Sequence, residues 1–139
     1  MRILKFAALP ALALILGACA GPRIQEVSLT AVDMAFQPEA LEVTAGRPVR
    51  LTMVNEGALD HDFSILEMPM ETMGATAVAV PGHDMGAMTV DPQLHMAVTM
   101  GMSNTIEFTP TKPGTYEFFC TVPGHKQAGM VGTMVVNAP

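Results

Sequence analysis

From Gly114 the chain reads Gly114-Thr115-Tyr116-Glu117-Phe118-Phe119, a run with strand character, and then sets Cys120, His125 and Met130 at five-residue intervals. Strand pattern returns at Gly132-Thr133-Met134-Val135-Val136. The loop between the two runs therefore carries a thiol, an imidazole and a thioether. Far upstream, the stretch Asn55 to Phe63 supplies a second imidazole, His61. Two imidazoles, one thiolate and a weak axial thioether are the ligand set of a type 1, or blue, copper site. Such a site commits a chain to one-electron chemistry or to holding copper, and to neither hydrolysis nor group transfer.

Each residue type suits its place. Cys120 supplies a soft thiolate, which favours Cu(I) and also bonds covalently to Cu(II). His125 follows after four residues that include Pro123 and Gly124. Pro123 stiffens the turn and Gly124 permits a backbone angle or close approach that a side chain hinders, so Cys120 and His125 can face one cavity. Met130 suits a long axial contact, and His61 closes the site from a distant strand edge. Taken singly, a loop histidine is ordinarily hydrogen-bonded or solvated, and Cys120 and Met130 are ordinarily inert core side chains. The combination is the signal: there are four His, and two of them flank the sole non-terminal Cys. Zinc is the competing metal, but it rarely recruits Met. An iron–sulfur cluster needs more thiolates than the two Cys present.

The rest of the chain reads as all-β. Val27–Val32, Leu41–Thr44, Val49–Asn55, His61–Leu66, Met96–Thr99, Thr105–Thr109 and Thr115–Phe119 are short apolar or β-branched runs. Phe36-Gln37-Pro38 interrupts the pattern, and Gly46-Arg47-Pro48, Glu56-Gly57 and Pro113-Gly114 mark turns. No segment beyond the leader has helical periodicity with caps. Strands at this spacing predict a β-sandwich whose two inner faces bury one core. Residues 67–94 are the exception, rich in Met, Gly and Ala. Eight of the thirteen Met lie between Met68 and Met102. That length without regular structure implies a functional loop or a short helix.

Residues 1–18 read as a signal peptide: Arg2 and Lys5, an apolar run from Phe6 to Leu16, then small residues before Cys19. The run is too short to span a bilayer comfortably. Leu16-Gly17-Ala18-Cys19 resembles the bacterial lipobox, which implies cleavage before Cys19 and its lipidation. The alternative is an ordinary leader with a stray Cys. Residues 19–26 then form a tether and 27–139 the domain. Without Arg2 and Lys5 the chain keeps five basic and thirteen acidic side chains, a formal charge of −8. An acidic surface disfavours nucleic acid and favours partners with a basic patch. Nothing in the sequence implies an oligomer.

Two segments carry a family resemblance: Asn55-Glu56-Gly57-Ala58-Leu59-Asp60-His61-Asp62-Phe63, and Gly114 through Met130 with the closing run Val131–Val136. They resemble the cupredoxins, small blue copper proteins of azurin and plastocyanin type, and the Cys-x4-His-x4-Met spacing resembles that of auracyanins. The resemblance implies a Greek-key β-sandwich over Val27–Asn137. It implies one copper ion held by His61, Cys120 and His125 with Met130 axial, and an exposed edge of His125 within an uncharged rim of Pro123, Gly124, Ala128 and Gly129. One position departs from the family pattern. Where an amide or hydroxyl often follows the first His, this chain has Asp62. Two readings stay open: Asp62 accepts the Thr121 backbone N–H beside the sulfur and favours Cu(II), or it faces water.

Two functions compete. One is an electron carrier at the extracytoplasmic membrane face, serving redox proteins that present a basic or apolar patch. The other is a copper-binding or delivery protein whose soft groups His83, Met85 and Met88, with His95, Met96, Met100 and Met102 nearby, form a second site; packing is the competing account of those Met. His95 fits equally as an outward-facing strand residue. An enzyme is not expected, because four protein ligands leave no open position for a substrate.

Overall fold

The computed structural model describes residue 21, residues 23–71 and residues 92–139. The leader, Cys19, and the candidate second-site residues His83, Met85 and Met88 lie outside the described residues. Among the described residues there is no helix, and ten strands run β1 Gln25–Val32, β2 Ala35–Gln37, β3 Ala40–Thr44, β4 Val49–Asn55, β5 His61–Ile65, β6 Met70–Glu71, β7 Leu94–Val98, β8 Ser103–Pro110, β9 Gly114–Phe119 and β10 Val131–Asn137.

They form two five-stranded sheets, ordered β2-β1-β4-β8-β6 and β3-β10-β9-β5-β7. β1 runs parallel to β4, and β3 parallel to β10; the other pairs are antiparallel. The period-two pattern decides which face is inside. Leu29 and Ala31 of β1, Leu51 and Met53 of β4, Ile106 and Phe108 of β8, and Met134 and Val136 of β10 alternate with more exposed neighbours and fill the core. Phe118 sits among them, 5.2 Å from Phe36 in a T-shaped pair and 5.0 Å from Phe63. An all-β sandwich is thus the architecture, as the alternation predicts.

Three local features differ from the sequence pattern. Phe36 does not simply interrupt the first strand. A turn with Met34 at φ 61° folds Ala35–Gln37 back on β1 as β2, and the cis bond before Pro38 follows. That reversal lets Phe36 point into the core. The short strand β6 lies within the stretch 67–94 and pairs Met70 with Pro110 of β8, while Met68 is fully buried. β5 is buried on both faces, polar Asp62 and Ser64 included.

Candidate metal centre

The site forms where β5 begins and β9 ends. His61 is the first residue of β5, and the loop before it is tied down by three side chains. Asn55, the last residue of β4, donates to the Leu59 carbonyl at 2.8 Å and the Val98 carbonyl at 2.9 Å, and accepts the Gly57 N–H at 3.0 Å. Asp33 accepts the Ala58 N–H and Asp60 the Met100 N–H, each at 2.8 Å. Asn55 was not among the residues singled out from the sequence. Its only sequence signal is an Asn at a strand end directly before a turn, where side-chain-to-backbone bonding is common.

The second half is the loop from Cys120 to Met130. The backbone closes on itself: His125 N–H donates to Val122, Ala128 to Gly124, Gly129 to Lys126, and Met130 to His125, all at 3.0 Å, while the Cys120 N–H donates to the Met130 carbonyl at 3.2 Å. Gly124 at φ 87° and Gly129 at φ 103° make the two left-handed corners. Main-chain bonds thus close most of the loop on itself.

The structure brings His61, Cys120 and His125 together, one donor atom from each, all within 4.8 Å of one another. The two Nδ1 atoms face each other at 3.2 Å, and the Cys120 sulfur is 3.5 Å from His125 Nδ1. Donors held about 2.0–2.3 Å from one ion at trigonal-to-tetrahedral angles stand about 3–4 Å apart. His61, Cys120 and Met130 have no solvent exposure, and His125 keeps 5 %, so His125 alone of the four reaches the surface. Met130 lies in the core, its backbone bonded to both Cys120 and His125. Pro123, Gly124, Ala128 and Gly129 are exposed around His125.

Two imidazoles and a thiol converging in a buried cage, with a thioether beside them in the core, form a donor set that fits a soft cation. The Nδ1 of His61 faces the site, and among the described residues its buried Nε2 has no hydrogen-bond partner. Burial, and then the proximity of His125, push the His61 imidazole below its ordinary 6.5, favouring the neutral ligand form. The Cys120 thiol is pushed up to about 12, first by burial and then by the charge of Asp62. Without metal the site thus holds a neutral thiol, and metal uptake must release its proton. Metal affinity is expected to rise at least about tenfold per pH unit from pH 6 to 8, measurable by chelator competition. A flat profile would mean that Cys120 is not a ligand. By the same sign, metal-free protein is expected to lose stability as pH rises above 9.0, where the unfolded thiol ionises and the folded one stays neutral.

Of the two readings of Asp62, the structure supports the first. Asp62 is fully buried and accepts the Thr121 N–H at 2.8 Å and the Thr121 hydroxyl at 2.6 Å. Its own N–H points at the Cys120 sulfur at 3.5 Å. The carboxylate thus clasps the loop that carries the thiol.

Comparisons with known proteins agree with this geometry. The family model for a cupredoxin-like domain matches residues 5–136. The copper-resistant cuproprotein CopI of Pseudomonas aeruginosa is 36% identical over 130 residues, covering 76% of this chain and 72% of the relative. Auracyanin-A of Chloroflexus aurantiacus is 30% identical over 160 residues, covering 99% of this chain and 98% of the relative. Among solved structures, auracyanin B matches with a TM-score of 0.62 at 28% identity, covering 84% of this chain and 91% of that one.

Proposed function

The chain belongs to the cupredoxin-like family, and we propose that it holds one type 1 copper ion and carries single electrons at the extracytoplasmic face of a membrane. The convergence of two imidazole Nδ1 atoms and one thiol in a buried, backbone-braced cage carries this reading. Bound copper would supply a one-electron couple. His61, Cys120 and His125 would hold it, with Met130 as a weak fourth donor. The backbone-closed loop and the Asn55 brace would limit rearrangement of the donors on reduction. The packed core keeps water from His61 and Cys120.

An electron would enter or leave at His125. Its exposed collar of Pro123, Gly124, Ala128 and Gly129 is small and uncharged. Leu59 and Met100, exposed at 45% and 55%, lie at the loop that leads into His61. Such a patch suits a brief encounter with a redox protein presenting an apolar or basic face. The leader and Cys19 support a lipid anchor as the attachment. A Cys19→Ala variant should then leave the membrane fraction with its copper domain intact; unchanged attachment would refute the anchor.

Copper handling is the second reading, favoured by the similarity to a copper-resistant cuproprotein and by exposed Met102 at 61% beside Met100. Titration with Cu(I) against a competing chelator separates the two. A carrier should take up one tight ion per chain and exchange electrons without releasing it. A second tight Cu(I), lost on joint replacement of His83, Met85 and Met88 while the first stays, would replace the carrier reading by delivery.

A further inference from the structure

β5 sets Asp62 and Ser64 on the face of its sheet opposite Phe63 and Ile65, and its pairing with β7 puts His95 directly across from Ser64. The three side chains meet. Ser64 Oγ lies 3.0 Å from Asp62 Oδ1 and 2.9 Å from His95 Nδ1. Asp62 in turn holds both donors of Thr121. Asp62 and Ser64 are fully buried, so water does not compete for these bonds.

The direction of the chain follows from proton counting. A hydroxyl has one proton, and a carboxylate can only accept. The Ser64 proton therefore goes to Asp62, and the Ser64 oxygen accepts from His95, which must carry a proton on Nδ1. The result is a one-way series from His95 to Ser64 to Asp62, ending beside the sulfur of Cys120. We infer that His95 and Ser64 are positioning residues that act through Asp62 to set the negative charge felt at the Cys120 sulfur, and with it the reduction potential of the copper centre.

The physical argument has two signs. A carboxylate near the thiolate favours the more positive oxidation state and lowers the potential. Every donor to that carboxylate draws its charge away from the sulfur and opposes the effect. Removing the charge and removing a donor must then move the potential in opposite directions. A role confined to bracing the loop would not produce that reversal. The inference deepens the copper reading and rests on it for the potential, while the direction of the hydrogen bonds stands independently of metal.

The experiment measures reduction potential and visible band position in copper-loaded variants. Asp62→Asn should raise the potential. Ser64→Ala should lower it, and His95→Leu should lower it by less, because Ser64 then keeps its bond to Asp62. His95→Asn, whose amide nitrogen can take the place of Nδ1, should return it towards wild type. In an Asp62→Asn background, Ser64→Ala should lose most of its effect. In copper-free protein, nitrogen-15 spectra should show the His95 proton on Nδ1, and the Thr121 amide should exchange about tenfold faster in Ser64→Ala. A bare Nδ1 on His95, or potentials that shift the same way in Asp62→Asn and Ser64→Ala, would overturn the inference. If copper fails to give a blue centre at all, the copper reading falls and the coupling to potential with it, while the tautomer and amide exchange still decide the direction of the bonds.

Discussion

A Cys120→Ser variant mixed with Cu(II) is expected to stay without the strong red-region absorption that the native protein should show. That absorption requires a thiolate bonded to copper, and Cys120 is the only thiol among the described residues. A hydroxyl stays protonated in this buried site and cannot replace a soft anionic donor. Copper affinity should fall by more than about 100-fold, beyond what loss of an outer hydrogen bond costs a metal site. His61→Ala or His125→Ala should likewise destroy or open the centre, since their Nδ1 atoms are 3.2 Å apart and face the same point. Met130→Leu is the contrast: the blue colour should persist and the potential should rise, because only a weak donor to Cu(II) is removed. Circular dichroism of each variant checks that the sandwich is retained. A folded, strongly coloured Cys120→Ser protein would end the type 1 assignment.

Gly132→Ala should damage the fold more than any other single methyl addition at the described glycines. A β carbon there would stand 2.2 Å from Cζ and 2.4 Å from Cε2 of Phe118, and 2.7 Å from the Glu39 carbonyl oxygen. A ring edge can often swing away, but this ring is held between Phe36 and Phe63. The carbonyl is held as well, since it accepts the Thr133 N–H at 2.8 Å. Overpacking of this kind costs about 3 kcal/mol, which lowers the melting temperature by roughly 10–15 °C in a domain of this size. Gly46→Ala is the control: φ is 74° but nothing lies near its β carbon. It should cost only about 1 kcal/mol of backbone strain. Equal melting temperatures for the two variants would show that Phe118 is not packed as described.

Much of this protein was legible in its sequence because the signals are local. Alternation in Val49–Asn55 and Val131–Asn137 fixes which side chains face the core, since a strand turns every second residue the same way. The close sequence spacing of Cys120, His125 and Met130 puts them on one loop whatever the rest of the chain does. His61 could be singled out because two imidazoles, one thiol and one thioether form a recognisable donor set. The exposed edge of His125 was implied only by the family resemblance.

Other features depended on which distant segment lies alongside. The sequence left Asp62 between water and the Thr121 amide, and only the approach of the Cys120 loop to β5 decides it. His95 read either as a soft group of a second site or as an outward strand residue; the pairing of β7 with β5 places it on Ser64. Phe36 reached the core through a reversal at Asp33-Met34, where a lone Asp amid strand-like residues is a weak turn signal. Gly132 looked like an ordinary strand-start glycine until Phe118 was packed over it. Period and residue type determine what a segment offers, and they act over a few residues. Which offer is taken up depends on contacts between residues tens of positions apart, and those are set when the two sheets close on one core.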